Sequence, residues 1–148
     1  MVMHSIIHNA YFSGASKRHV GLSGGIVGSI GSESTIQNCY VTTYEIFPQN
    51  TVLWSVISSQ KPYPIGVGAI AGMAPQNSIT HCYYDQTTTG LTKLVGLMLP
   101  FEKNKFQGYK TASMKKQKNY QGWDFTKVWG IDAIVNDGYP FIRGNNYQ

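Results

Sequence analysis

Two histidines near the start of the chain, His4 and His8, stand four residues apart. On a helix this spacing would place both imidazoles on one face, where they could bind a zinc ion together. The surrounding residues instead favour a strand, in which side chains four positions apart lie too far from each other to chelate easily. No Cys, Asp or Glu with metal-ligand spacing accompanies the pair in the sequence. We therefore predict no metal site and no cofactor.

The seven carboxylates are scattered along the chain. Glycoside hydrolysis needs two carboxylic groups that face one bond, and Asp85 with Glu33 is the pair that could supply them. Nothing in the flanking sequence marks either residue for this role, whereas Asp124 and Asp137 stand in turn sequences. The sequence also contains no serine nucleophile elbow and no phosphate-binding Gly-rich loop ending in Lys. These features predict a protein that is not an enzyme.

A segment rich in aromatic residues, 44–64, is the best candidate for ligand binding. Its three prolines and central apolar residues predict a long excursion between structural repeats. Aromatic rings on a rigid support suit the recognition of a glycan or of a host or neighbouring protein surface. The alternative is that these rings fold back as a satellite cluster on the flank. The candidate binding residues are Tyr44, Phe47, Trp54 and Tyr63.

Positive charge is concentrated in one part of the chain, whose formal net charge is +5. Residues 103–118 hold six lysines, whereas residues 19–60 contain no Lys or Arg. We interpret the lysine run as a solvated face, and we expect no nucleic-acid partner. No apolar stretch is long enough for a membrane span, and no export signal is recognisable at the N-terminus, so we expect no membrane insertion.

One motif occurs three times, as "SIIHNAY" (5–11), "STIQNCY" (34–40) and "NSITHCY" (77–83). The Gly-rich stretches "GGIVG" (24–28) and "GAIAG" (68–72) precede the second and third copies. A unit with one short hydrophobic face cannot bury that face alone, but stacked copies can, with equivalent side chains in ladders about 4.8 Å apart. The predicted ladders are Ile7, Ile36, Ile79; Asn9, Asn38, His81; Ala10, Cys39, Cys82; and Tyr11, Tyr40, Tyr83.

The repeats predict an all-β fold, a short right-handed parallel β-solenoid over residues 1–90 with the excursion at 44–64. An antiparallel β-sandwich is the alternative, since short strands at irregular spacing fit that architecture too. Residues 91–148 are predicted to form an aromatic C-terminal cap with one short helix that begins at Thr111 as its N-cap. The predicted cap residues are Trp123, Phe125, Trp129, Tyr139 and Phe141.

The only two cysteines, Cys39 and Cys82, occupy equivalent places in two copies. Adjacent copies would bring their Cα atoms to about 4.8 Å, within the disulfide range. Neighbours in register on parallel strands rarely have suitable Cβ geometry, so we favour two stacked thiols and keep the disulfide as an alternative.

The stretches "GGIVGSIGSESTIQNCY" and "GAIAGMAPQNSITHCYYDQTTTG" resemble the GLUG-motif repeats, and the ending from Lys110 to Gly144 resembles the segment that closes such arrays. The resemblance implies a secreted or cell-surface protein of bacterial type, with its export signal outside this chain. It also implies a structural or adhesive module without catalytic groups. Two alternatives are an accessory domain of a secreted polysaccharide- or peptide-degrading enzyme, and a subunit that self-associates through its open N-terminal coil.

Overall fold

Short β-strands dominate the computed structural model, which describes residues 2–3, 6–7, 22–42, 66–99 and 108–144. The strands are β1 (Val2–Met3), β2 (Ile6–Ile7), β3 (Leu22–Gly24), β4 (Val27–Ser29), β5 (Ile36–Gln37), β6 (Tyr40–Val41), β7 (Gly66–Gly68), β8 (Ala71–Pro75), β9 (Ile79–Thr80), β10 (Tyr83–Asp85), β11 (Val95–Leu99), β12 (Gly108–Tyr109), β13 (Trp129–Gly130) and β14 (Phe141–Ile142). The helices are α1 (Gln86–Thr89) and α2 (Thr111–Met114), with 3₁₀ turns at Gln117–Asn119 and Asn136–Gly138. The predicted N-cap of α2 is wrong, because Thr111 is the first helical residue and Lys110 is the N-cap. The predicted all-β class is confirmed.

Four small sheets join equivalent strands of successive repeats by parallel pairing. Their strand orders are β1-β5-β9, β2-β6-β10-β12, β4-β8-β11 and β3-β7, whereas β13 and β14 pair antiparallel. We call residues 22–41 the first unit and residues 66–85 the second unit. Each strand of the first unit pairs with its counterpart in the second, so the two units lie against each other in register. This parallel pairing does not fit the antiparallel sandwich kept as the alternative.

The register between the two complete units follows from the repeated motif. Ile36 pairs with Ile79, and Tyr40 pairs with Tyr83, as the ladders predict. A shift of one residue would turn every side chain to the opposite face of its sheet, so apolar burial strongly specifies this pairing.

The N-terminal strands pair in a different register from the predicted one. Ile7 lies opposite Val41 rather than Ile36, and Val2 takes the place opposite Ile36. The predicted position of Ile7 is therefore wrong, because the repeated tyrosine suggested an alignment five residues away. The observed pairing aligns the sequence "VMHSII" with "IQNCYV", so Val2 replaces Ile7 as the β-branched residue beside Ile36. Three further ladder residues lie outside the described residues: Asn9, Ala10 and Tyr11.

A third copy of the Gly-rich half, "KLVG" at residues 93–96, stacks on the second unit. Val95 pairs with Ala71, which in turn pairs with Val27. The amide of Ile70 donates to the carbonyl of Leu94 at 2.9 Å, as the amide of Ile26 donates to Ile70 at 3.0 Å. Parallel pairing thus continues past residue 90, the boundary that the sequence suggested between the repeats and the cap.

Two hydrophobic clusters lie on opposite faces of the sheet that contains β6 and β10. Within these strands, Val41 and Tyr84 belong to one cluster, while Tyr40 and Tyr83 belong to the other. The inner core consists of Ile30, Ile36, Cys39, Val41, Ala69, Ile70, Ala71, Ala74, Ile79, Cys82, Tyr84, Leu94 and Val95. The aromatic cluster consists of Tyr40, Tyr83, Met114, Tyr120, Trp123, Trp129 and Tyr139.

Candidate functional site

The predicted ligand-binding residues Tyr44, Phe47, Trp54 and Tyr63 lie outside the described residues. The described residues on either side of their segment are Thr42, which follows β6 in the first unit, and Gly66, which opens β7 in the second unit. Within the described ranges, no group of three or more His, Cys, Asp or Glu could hold a metal ion. The described helices include none that is long and apolar enough to cross a membrane.

Asn38 and His81 form the corner of each unit, between the strand that begins with Ile and the strand that begins with Tyr. Their φ angles are 53° and 49°, in the left-handed region where Asn and His are enriched among non-glycine residues. This corner interrupts the alternation of an extended strand. As a result, Ile36 and Cys39 both face the inner core, although they stand three residues apart.

The two cysteines occupy equivalent buried positions just after these corners. Neither is in a disulfide, and both are thiols. The Sγ of Cys39 donates to the carbonyl of Gln37 at 3.2 Å, and the Sγ of Cys82 donates to Thr80 at 3.3 Å. A hydrogen bond with the Cys39 side chain, together with burial, raises the pKa of Cys82. A protonated thiol in an apolar core packs as a small hydrophobic residue and is a poor nucleophile.

The aromatic C-terminal segment covers the outer faces of Tyr40 and Tyr83. The Tyr40 hydroxyl donates to the carbonyl of Pro140 at 2.7 Å, and the Tyr83 hydroxyl donates to Gln121 at 3.0 Å. The indole of Trp123 donates to the His81 carbonyl at 2.8 Å. The predicted cap therefore lies along the flank of the paired units.

Each predicted cap residue has a place in or beside this flank. The rings of Trp123 and Trp129 stack at 3.9 Å, and Tyr139 stacks on Tyr40 at 6.1 Å. Phe125 packs against the aromatic cluster from a half-buried position, and Phe141 is half-buried in β14. Sequence composition predicted the aromatic character of this region, whereas its location depends on contacts with Tyr40.

Asp85 is fully buried, and both of its carboxylate oxygens accept hydrogen bonds. Its Oδ1 accepts from the amides of Thr87 at 2.8 Å and Thr88 at 3.2 Å, which caps α1. Its Oδ2 accepts from the Tyr139 hydroxyl at 2.7 Å. Burial is the main cause that raises the pKa of Tyr139, and the hydrogen bond to Asp85 raises it further. The sequence signal for the role of Asp85 was the Asp before "QTTT" with Gly90 after it, a capped helical turn that the repeat pattern obscured.

Asp85 and Glu33 are therefore not placed to act together as a catalytic pair. The Asp85 carboxylate has no exposed surface, whereas Glu33 is exposed in the turn between β4 and β5. A general acid and its partner must both reach one substrate bond, which a fully enclosed carboxylate cannot do.

Lysine side chains make up the main charged surface among the described residues. Met114 and Tyr120 are buried in the aromatic cluster and hold the segment between them against the flank. This segment and the residue before α2 carry four exposed lysines, which form what we call the lysine surface: Lys110, Lys115, Lys116 and Lys118. One of these ammonium groups, that of Lys115, lies 5.1 Å from the ring centroid of Tyr139. This distance suits a cation–π contact.

No family model, no curated protein and no solved structure matches the chain. The described residues thus offer two features for a functional hypothesis. One is a stack of paired units with its aromatic flank, and the other is the lysine surface.

Proposed function

We propose that this chain is a short right-handed parallel β-solenoid that acts as a structural or adhesive repeat module of a secreted or cell-surface protein, of the GLUG-motif kind. The observation that supports this proposal best is the pairing of equivalent residues across three copies, Val27 with Ala71 and Ala71 with Val95. Stacking of this kind lets each unit bury a face that it cannot bury alone.

The module acts by presentation. Backbone hydrogen bonds between units, and side chains of the inner core, hold the stack rigid. The segment 43–65 leaves the first unit after Thr42 and re-enters at Gly66 in the second, so its two ends are held on paired neighbours. A loop whose ends are fixed loses less conformational entropy when it binds. We propose that this loop and the coil edges contact a glycan or a partner protein.

The test is a glycan-array and pull-down screen of the intact chain beside Trp54→Ala. The matched control is Ile134→Ala, which removes another large apolar side chain; Ile134 is 92% exposed in the turn between Asp132 and Val135. We expect Trp54→Ala to weaken binding about tenfold or more, as loss of an aromatic anchor does. Ile134→Ala should change affinity by less than about twofold.

Two results would reject parts of the proposal. Equal affinities of the wild type and Trp54→Ala would remove the loop from the binding site. If the folded wild type binds no glycan and no protein in the screen, the proposal that the module presents a binding surface is rejected. Hydrogen exchange tests the solenoid separately. We expect slow exchange at the amides that donate hydrogen bonds to the neighbouring copy, such as those of Gly25, Ile36 and Ala69.

A further inference from the structure

Charge is distributed unevenly between the stacked units and the C-terminal segment. Residues 108–123 contain four lysines and no Asp or Glu. The described stretches 22–42 and 66–99 together contain one lysine and two carboxylates. The lysine surface therefore carries a local positive charge close to the net charge of the whole chain.

Hydrogen bonds within residues 110–120 hold the backbone that carries these lysines. The amide of Met114 donates to the Lys110 carbonyl at 3.0 Å, and the Asn119 side chain donates to the Ser113 carbonyl at 2.8 Å. The Tyr120 hydroxyl also donates to the Met114 carbonyl. These bonds fix the points from which the four side chains extend. A fixed set of cations costs less entropy to engage with a repeating anion than a mobile set does.

Three exposed carboxylates also belong to the described C-terminal segment: Asp124, Asp132 and Asp137. Asp124 accepts hydrogen bonds from the amides of Thr126 and Lys127, and Asp132 accepts one from Ile134. Asp137 is the exposed carboxylate nearest in sequence to Tyr139, over which the Lys115 ammonium lies. A Cβ atom built on Gly138 would lie 3.3 Å from the Lys115 Cδ, so Asp137, one residue away, is a carboxylate beside the lysine surface.

The composition of the surface discriminates among polyanions. A membrane surface would call for exposed Trp, Phe or Leu beside the lysines, but within residues 108–123 the exposed side chains beside them are those of Ala112, Gln117 and Gln121. Nucleic-acid recognition favours Arg and exposed rings, whereas the cations here are all lysines and Tyr120 is buried. Lysine ammonium groups act as point charges and suit evenly spaced carboxylates on a hydrophilic chain.

We propose that the lysine surface binds an acidic polysaccharide through Lys110, Lys115, Lys116 and Lys118. This site goes beyond the proposed loop, because it lies on the C-terminal segment rather than between the two units. Its attraction is electrostatic, so binding must weaken as salt rises and screens the charges. A neutral polysaccharide of the same size must not bind.

The experiment measures binding of the intact chain to polygalacturonate and to neutral dextran at low and physiological salt, with single-stranded DNA and phosphatidylserine vesicles as competing probes. Lys116→Glu/Lys118→Glu is the test variant, and Lys93→Glu/Lys127→Glu is the control with the same change in net charge. All four side chains are exposed, and unchanged circular dichroism and melting temperature check that each variant folds. We expect the test variant to bind polygalacturonate about tenfold or more weakly, and the control to differ from wild type by about twofold or less.

Several outcomes would overturn the inference. They are no binding of polygalacturonate by the wild type, equal losses in the two double variants, or tighter binding of DNA or vesicles than of polygalacturonate. The proposed loop function is judged independently, since a ligand lost in Trp54→Ala but retained in Lys116→Glu/Lys118→Glu supports the loop whatever becomes of the lysine surface.

Discussion

Individual residues at the corners of the units determine which side chains enter the inner core. Asn38 adopts a φ of 53°, and its Oδ1 is buried with no hydrogen-bond partner in the described part of the chain. We infer that asparagine suits this position because it adopts the left-handed backbone conformation, and not because its side-chain oxygen makes a hydrogen bond. Glycine reaches the same conformation without steric cost, whereas a β-branched residue does not.

Substitution at Asn38 tests this explanation. We expect Asn38→Val to lower the free energy of unfolding by about 1–2 kcal/mol, because a β-branched side chain disfavours the left-handed conformation. Asn38→Gly should change it by less than about 1 kcal/mol. Urea denaturation of both variants measures the difference. A valine variant as stable as the glycine variant would contradict the corner role.

Because the pKa of the buried Tyr83 hydroxyl is raised, we expect the free energy of unfolding to fall at high pH. Burial is the main cause that raises the pKa of Tyr83 to about 12. The ordinary value is about 10, so the folded state favours the neutral phenol. The contribution is fully present below pH 10 and is lost as pH rises from 10 through about 12, because the unfolded chain releases its proton first.

Tyr83→Phe provides the comparison for this pH effect. The phenylalanine variant loses the hydrogen bond to Gln121 at every pH, but it has no proton to release at position 83. Its free energy of unfolding should therefore fall less steeply between pH 10 and about 12 than that of the wild type. Denaturation midpoints at a series of pH values measure both slopes. Identical slopes would show that Tyr83 does not contribute.

At the scale of elements, glycines allow neighbouring units to approach closely. A Cβ atom built on Gly68 would lie 2.6 Å from both the Leu94 carbonyl oxygen and the Gly96 amide nitrogen. Gly24 has the corresponding place one unit earlier, where a Cβ would lie 2.5 Å from the Ala71 Cα. Because these contacts are with backbone, the neighbouring unit itself would have to move.

Gly68→Ala is expected to destabilise the protein by about 1–3 kcal/mol, the usual cost of inserting an atom into a filled site. Gly31→Ala is the control, since its Cβ would meet only the Ser34 hydroxyl at 3.8 Å. That control should be neutral or stabilising by up to about 1 kcal/mol, through the entropy of the unfolded chain. Thermal and urea denaturation compare the two variants, and equal effects would argue against close packing of the units.

At the scale of the whole molecule, the aromatic cluster joins the C-terminal segment to both units. Trp123 contacts the ring of Tyr40 in the first unit and the ring of Tyr83 in the second, with centroid distances of 6.1 and 5.8 Å. Its indole N–H also donates to the carbonyl at the His81 corner. A residue with these partners couples the stability of the segment to that of the stack.

We expect Trp123→Ala to lower the stability of the folded protein by about 3–5 kcal/mol through loss of a large buried ring. Because the cluster is shared, the strands and the aromatic segment should still unfold in one transition at a lower urea concentration. Far-ultraviolet circular dichroism follows the strands, and in a Trp54→Phe background the fluorescence of Trp129 follows the aromatic segment. A shift of the fluorescence transition alone would show that the segment folds independently of the units.

Local patterns predicted some parts of this architecture and not others. The matched motifs around Ile36 and Ile79 were sufficient for their pairing, because identical side chains stack favourably on adjacent parallel strands. The place of Ile7 was not predictable from the same rule, since two alignments of its short strand both satisfy the apolar pattern. The third Gly-rich copy was missed because Thr92 and Lys93 replace the two leading small residues. The four aromatic residues at 44–64 stay predictions.

By itself, the sequence determined the all-β class, the repeat and the concentration of lysines after residue 100, because period and composition are local properties of the chain. Only the tertiary structure decided the N-terminal register, the burial of Asp85 and the position of the aromatic segment. These features depend on contacts between distant residues, such as the bond from Tyr40 to Pro140 across 100 positions of sequence. A local pattern shows that a side chain must be buried, but its partner is selected by the packing of the whole chain.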